Sequence, residues 1–275
     1  MSIRKHYQFE GVKGIKVGRV NQGINTQFIV YRLGDTLIDA GPSNQWKHLQ
    51  DFLDESPVRQ LLLTHHHEDH SGNAQRIAEK FSILPKAPIQ GQEKLEKGYK
   101  TPLLQKMVWG SPLPVKTQVL DAQETLSDGS IVVPVHTPGH AKDLTVFFLP
   151  EQKYLFSGDL YISRKLKMLR IDENLQQLID SLKKVLTLSF QTVFCPHAGV
   201  IEDGKEALQD KLSYILELCE EAQSMKETGS DTQEITQKLL GKEMLTSRLT
   251  RGNFCKENLI EEALLVDLAK TSAPS

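Results

Sequence analysis

The stretch Thr64-His65-His66-His67-Glu68-Asp69-His70 constrains this chain more than any other segment of the sequence. It follows Val58-Arg59-Gln60-Leu61-Leu62-Leu63, an apolar run that reads as a buried strand. It precedes Asn73 to Phe81, whose apolar spacing predicts a helix. A cluster of histidine and acidic side chains is costly to hold together unless a cation neutralises it. Neutral imidazole and ionised aspartate are the ligand types that zinc and neighbouring first-row metals accept. The order strand, cluster, helix predicts an α/β fold with its chemistry at the carboxyl end of a core strand.

Side-chain alternation sorts the histidines. In an extended segment, residues two apart point the same way, so His65 and His67 can share one metal while His66 and Glu68 point elsewhere. Asp69 and His70 stand where the chain turns into the helix and can address a second metal. Three later loops supply further ligand types, each after a β-prone run and beside Gly or Pro. They are Thr137-Pro138-Gly139-His140, Phe156-Ser157-Gly158-Asp159 and Phe194-Cys195-Pro196-His197. Any one alone reads as an ordinary polar strand end; together they complete a ligand set.

This set resembles the metallo-β-lactamase-fold superfamily across roughly residues 12–205. The resemblance rests on the His-x-His-x-Asp-His motif and the later His, Asp and His. It implies an αββα four-layer sandwich, with residues 1–203 as the catalytic domain and 204–275 as a small helical C-terminal extension like that of glyoxalase II relatives. It also implies that His65, His67 and His140 hold one metal, that Asp69, His70 and His197 hold a second, and that Asp159 bridges them. Asp39, in Leu37-Ile38-Asp39-Ala40-Gly41, matches a family aspartate that fixes a ligand histidine by hydrogen bond. An aspartate at position 159, where the commonest secreted β-lactamases carry cysteine, resembles the thioesterase, lactonase, ribonuclease and phosphodiesterase branches instead.

Two divalent cations about 3.5–4 Å apart can share a water and lower its pKa toward neutrality. The resulting hydroxide attacks a carbonyl or phosphorus, and Asp69 can orient it. Two such cations and two aspartates leave a net charge near +2, which favours anionic substrates or a developing oxyanion. Zinc is the default metal; iron and manganese suit the same mixed nitrogen and oxygen set. The expected function is hydrolysis of a small thioester, ester or lactone. The alternatives are a phosphodiesterase or ribonuclease, an iron persulfide dioxygenase, and a non-catalytic metal or ligand sensor.

Charge and composition narrow the partners. The formal net charge is −2, and residues 201–275 are acidic, with 15 acidic and nine basic side chains. That balance predicts neither nucleic-acid nor membrane-surface binding. The N-terminal residues lack an apolar signal core, and Cys195, Cys219 and Cys255 show no CxxC spacing, which together predict a cytoplasmic protein with reduced thiols. Cys195 is expected to pack beside the site rather than join it. The sequence does not specify an oligomeric state.

Elsewhere, Gly14–Val20, Gln27–Arg32 and Thr36–Asp39 read as an antiparallel meander, with turns at Asn21-Gln22-Gly23 and Leu33-Gly34-Asp35. Residues 43–55 and 204–227 read as helices, as do Asp231–Leu240 and Lys256–Lys270. A further amphipathic helix spans Asp172–Leu188, with Asp172 as its expected cap. The Gly98–Pro114 segment, rich in proline and carrying Leu103, Leu104, Met107, Val108 and Trp109, reads either as an active-site border or as a surface helix packed on the core. Two basic groups are candidates for binding an anion: Arg164, Lys165, Lys167 and Arg170 with nearby Tyr161, and Arg248, Arg251 and Lys256.

Overall fold

Strands buried on both faces build the centre of the molecule, and their alternation sorts side chains into separate apolar layers. The computed structural model describes residues 2–19, 26–243, 247–248, 250 and 252–271. The turn at Asn21-Gln22-Gly23 and Arg251 lie outside the described residues.

The first sheet runs in the order β1 (Ser2–Phe9), β2 (Val12–Arg19), β3 (Phe28–Leu33), β4 (Thr36–Ile38), β5 (Gln60–Leu62), β6 (Lys86–Ala87) and β7 (Gln118–Val119). Its first four strands are antiparallel, and β4 to β7 are parallel. The second sheet contains β8 (Glu124–Thr125), β9 (Ile131–His136), β10 (Thr145–Leu149), β11 (Tyr154–Phe156), β13 (Thr192–Cys195) and β14 (Gly199–Ile201). A two-stranded ribbon pairs β12 (Leu169–Arg170) with β15 (Phe254–Cys255).

Three apolar clusters lie between four layers. Ile29, Tyr31, Ile38 and Leu62 of the first sheet meet Val132, Phe147, Phe156 and Phe194 of the second in the central cluster. The next residues along the same strands, Phe28, Val30, Leu37 and Leu61, face outward onto α1 (Trp46–Asp54) and α2 (Ala74–Phe81). Val146 and Val193 face the other way, onto α5 (Leu175–Leu186), α6 (Gly204–Glu227) and α8 (Lys256–Leu265). Burial of each such side chain contributes roughly 1.5–3 kcal/mol, so the period-two split of the strands holds the stack together. The result is the αββα sandwich, with helices following it at the C-terminal end.

The helices beyond residue 204 form as their spacing predicts. In α7 (Thr232–Leu240), Asp231 accepts from Glu234 N while the Glu234 carboxylate accepts from Asp231 N, a reciprocal cap. The last helical stretch is split into α8 and α9 (Leu268–Thr271). The cap of α5 differs from expectation. Asn174 caps it by accepting from Gln177 N at 2.8 Å, while Asp172 is occupied by Arg170 at 3.0 Å.

Strand β1 was not foreseen from the sequence. It pairs with β2 along its whole length, from Ser2 opposite Arg19 to Phe9 opposite Val12. As an edge strand with Arg4, Lys5 and His6 exposed, it lacks the apolar density that marks the inner strands.

The loops at one end of the two sheets are tied to each other. Thr145 N donates to Thr64 O at 2.9 Å, Ile29 N to Pro196 O at 2.8 Å, and Ala40 N to His70 O at 2.7 Å. Gly139 has φ +136°, and a Cβ there would stand 2.6 Å from the Leu178 backbone. Only glycine lets that loop lie so close against α5.

Candidate metal centre

Each expected ligand follows a strand and is turned toward a common point. The 64–70 segment leaves β5, His140 follows β9, Asp159 lies in a 3-10 turn (Gly158–Leu160) after β11, and His197 follows β13. One set of donor atoms, from His65, His67, His140 and Asp159, lies within 4.8 Å of one another; a second, from Asp69, His70, Asp159 and His197, does likewise. Asp159 belongs to both.

The donor atoms suit a cation. His67 Nδ1 stands 3.0 Å from both His65 Nε2 and His140 Nε2. Asp159 Oδ2 lies 3.2 Å from His140 Nε2, and Asp159 Oδ1 lies 3.1 Å from His197 Nε2 and 3.2 Å from His70 Nε2. A tetrahedral zinc with bonds of about 2.0–2.1 Å needs ligand-to-ligand edges near 3.3 Å, so these spacings are already close to a coordination shell.

Outer partners fix which nitrogen of each ring faces inward. Glu173 holds His140 Nδ1 at 3.0 Å, Gln27 O accepts from His197 Nδ1 at 3.0 Å, and Thr64 Oγ1 lies 3.0 Å from His65 Nδ1. Asp39 Oδ2 holds His70 Nδ1 at 2.8 Å, and the Asp39 carboxylate also accepts from Thr64 N and Thr64 Oγ1. Such partners orient metal-binding imidazoles. Asp39 has φ +60°, unusual for a residue with a Cβ, and its backbone N–H is tied to Leu62 O at 2.9 Å.

The two sets differ in electrostatics. Burial, with help from the neighbouring imidazoles, pushes the pKa values of His65 and His67 well below the ordinary histidine value. Burial acts the same way on His70 and His197, yet Asp159 and the other carboxylates overcome it and raise both well above that value. His140 rises to about 9 against burial, through Glu173 and Asp159. Asp159, facing three imidazoles, is held well below the usual carboxylate range despite its burial. Beside them, burial and the charge of Asp69 push Glu68 up to about 7.

His66 belongs to neither set. Its Nδ1 meets Asp143 Oδ1 at 2.7 Å, its backbone N–H donates to Asp143 Oδ2 at 2.8 Å, and Lys94 Nζ, on α3 (Ile89–Lys97), lies 2.9 Å from its Nε2. His66→Ala is therefore expected to leave metal content unchanged but to lower stability by about 1–3 kcal/mol, because Asp143 is left half-satisfied in the interior. Elemental analysis and thermal unfolding check this. Metal loss as large as that from His67→Ala would refute it.

A cavity of about 560 Å³ opens over the cluster. The helix α4 (Leu103–Trp109) contributes Leu104, Val108 and Trp109 to one wall; Ile162, Leu166, Met168 and Phe254 form another. The 98–114 segment thus borders the site, and Trp109 also packs on the first helical layer. Leu103 and Met107 are exposed on its outer side. Of the basic candidates, Lys165, Lys167 and Arg170 line the cavity, with Arg170 Nη1 at 3.3 Å from His67 Nε2. Arg164 pairs with Asp210 instead, and Lys256 donates to Leu240 O and Lys242 O at the end of α7. Tyr161 is buried, and its carbonyl accepts from Cys195 Sγ at 2.7 Å. Cys195 enters neither donor set, and all three cysteines are free and buried.

Glu173, Asp143 and Lys211 went unnoticed in the sequence. Asp143, three residues beyond His140, carried a faint signal as an acidic residue in a ligand loop. Glu173 and Lys211 carried none, because only the tertiary fold brings them to the site.

Comparison with known proteins gives consistent matches. The description "Metallo-beta-lactamase superfamily" fits residues 22–197. An atrochrysone carboxyl ACP thioesterase of Aspergillus fumigatus is 27% identical over 195 residues, covering 70% of this chain and 56% of that protein. A hydroxyacylglutathione hydrolase of Hamiltonella defensa is 28% identical over 159 residues, covering 58% of this chain and 55% of that protein. The chain thus spans a little over half the length of these curated relatives. Among solved structures, a β-lactamase domain protein from Burkholderia ambifaria superposes with a TM-score of 0.71 at 18% identity, covering 94% of this chain and 87% of that one. That likeness concerns the fold. No helix among the described residues is long and apolar enough to cross a membrane.

Proposed function

Since the chain belongs to the metallo-beta-lactamase superfamily, we propose that it is a dinuclear metal-dependent hydrolase of a small thioester, ester or lactone. The observation that carries this reading is the pair of adjoining donor sets sharing Asp159. On this reading His65, His67 and His140 would hold one divalent cation and Asp69, His70 and His197 the other, with Asp159 available to both. Zinc suits the sets best, and iron or manganese fits the same donors. When bound, the cation pair supplies an activated water and a Lewis acid for the substrate oxygen.

The chain's own groups do the rest. Asp69, with Oδ2 at 3.4 Å from His197 Nε2, lies in the second donor set, where its carboxylate would be placed to accept a hydrogen from an attacking water and so orient it. Glu173 and Asp39 hold the rings of His140 and His70 in register. The apolar walls from α4 and from Ile162 to Met168 exclude bulk water and receive the carbon skeleton of the acyl group. The names of two relatives, a thioesterase and a hydroxyacylglutathione hydrolase, support an acyl substrate.

The test is turnover of S-lactoylglutathione, a homoserine lactone and bis(p-nitrophenyl) phosphate on one sample of confirmed metal content. Hydrolysis of the thioester or the lactone is expected to dominate. Turnover of the phosphodiester alone, or of none of the three, would overturn the assignment.

A further inference from the structure

Lys211, on α6, is a cation that the fold buries and leaves largely unsatisfied. It is 2% exposed, and it lines the cavity. Its ammonium donates to Leu160 O at 2.8 Å, on the turn that carries Asp159, and lies 5.9 Å from the Tyr161 ring centroid. Among the described residues, no carboxylate comes within ion-pair distance of it. An ammonium has three N–H donors, and a buried charge without compensation is costly. Another deeply buried cation is treated differently. Arg32, also 2% exposed, is surrounded by the carbonyls of Gly34, Phe52, Ser56 and Pro57.

Lys211 also sits at the reactive end of the cavity. Asp159 and Glu173 are near enough to favour its charge, although burial still lowers its pKa to about 8. Neither the metal cluster nor the orientation of its ligands calls on this side chain. Leu160 O is the one hydrogen-bond acceptor of Nζ among the described residues, and the side chain lines the cavity, so a guest there could take up the remaining donors.

We propose that Lys211 is the anion-binding residue of the cavity, selecting substrates that carry a carboxylate a few bonds from the scissile carbonyl. This rests on the hydrolase reading above and narrows its substrate class. The carboxylate would accept from Nζ and supply the counter-charge that the protein withholds. Lys165 and Lys167 also line the cavity but are exposed, where water weakens their attraction, whereas Lys211 is buried.

The test compares kcat/KM for three thioesters on metal-loaded enzyme: S-butyryl-N-acetylcysteamine, S-succinyl-N-acetylcysteamine, and S-butyryl-3-mercaptopropionate. The first is neutral, the second is anionic on the acyl side, and the third on the thiol side. The wild type is expected to prefer one anionic compound, and Lys211→Gln and Lys211→Met to reduce that preference by roughly tenfold or more. Gln keeps a donor for Leu160 O and removes only the charge, so a purely structural role predicts an unchanged ratio in that variant. Lys211→Arg is expected to retain part of the preference. An equal ratio in wild type and Lys211→Gln overturns the proposal.

Should none of these three thioesters turn over, the hydrolase reading stands or falls on the earlier substrate panel, and binding decides about Lys211. Calorimetry of glutarate against its diamide, on metal-loaded wild type and Lys211→Gln, is expected to show weaker glutarate binding by the variant. Equal affinities would overturn the proposal there as well.

Discussion

Asp159→Ala is expected to strip metal from both positions and to lower kcat/KM at least about a thousandfold, some 4 kcal/mol of transition-state stabilisation. Among the described residues, no other belongs to both donor sets. Its two oxygens touch three imidazoles, at 3.2 Å for His140, 3.2 Å for His70 and 3.1 Å for His197. Alanine removes the shared ligand and the counter-charge of three buried rings together. Breaking such an interior pair typically costs about 3–5 kcal/mol, so the metal-free variant is also expected to unfold at lower temperature. Asp159→Asn, which keeps the shape and one oxygen, separates the two contributions: it retains packing and loses the charge. Elemental analysis beside kinetics gives the answer, and two equivalents of metal retained by Asp159→Ala would contradict the bridging role.

The second large effect is a pH-dependent order of metal uptake. Cations bind imidazole only through a free lone pair, so protons on the rings compete. Burial disfavours a proton on His65 and His67, whereas the surrounding carboxylates favour one on His70 and His197, and Glu173 and Asp159 raise His140 to about 9. Metal entering the first set therefore competes with the proton favoured on His140, and metal entering the second set with those favoured on His70 and His197. Affinity is expected to rise about tenfold per pH unit for the first and up to about a hundredfold for the second. Zinc titrations at pH 6 are expected to show one tight equivalent, and at pH 8 two.

The metal-free protein obeys the opposite slope on the alkaline side. Raised values at His70, His140 and His197 contribute stability that is complete below the unfolded value, about 6.5, and is lost as pH rises through the folded values, about 9 for His140. Lowered values at His65 and His67 make the folded state less stable once pH falls below about 6.5, since only the unfolded chain then takes up protons. Thermal unfolding after chelation is thus expected to peak near pH 6.5. A flat profile, or simultaneous uptake of both equivalents at pH 6, would count against this arrangement of charges.

How much of this was readable beforehand depends on whether the information was local. The residues of the two donor sets were legible because each set draws on strand ends, three of them beside Gly or Pro and the others packed into one His- and Asp-rich stretch, and the 65/67 pairing because alternation is a local rule. Helix boundaries near residues 204 and 231 were legible for the same reason, the Asp231 and Glu234 cap being written within four positions. Strand β1 was hidden because an edge strand with exposed charges gives no apolar signal. The α5 cap moved from Asp172 to Asn174 because Arg170 competes for the aspartate, a contest that spacing does not show. Glu173 and Lys211 reach the site only after α5 and α6 pack against the second sheet, so their roles arise from layers that the local pattern does not describe.

The β12–β15 ribbon joins the Leu169-Arg170 lip to Phe254-Cys255, far along the chain, while the opposing wall comes from α4 in the first half. The reactive cage and the surfaces that grip a guest are thus encoded by separate stretches of polypeptide. A lineage can reshape either rim by insertion or substitution without disturbing the cluster of imidazoles beneath, so new chemical tastes can arise on an inherited engine.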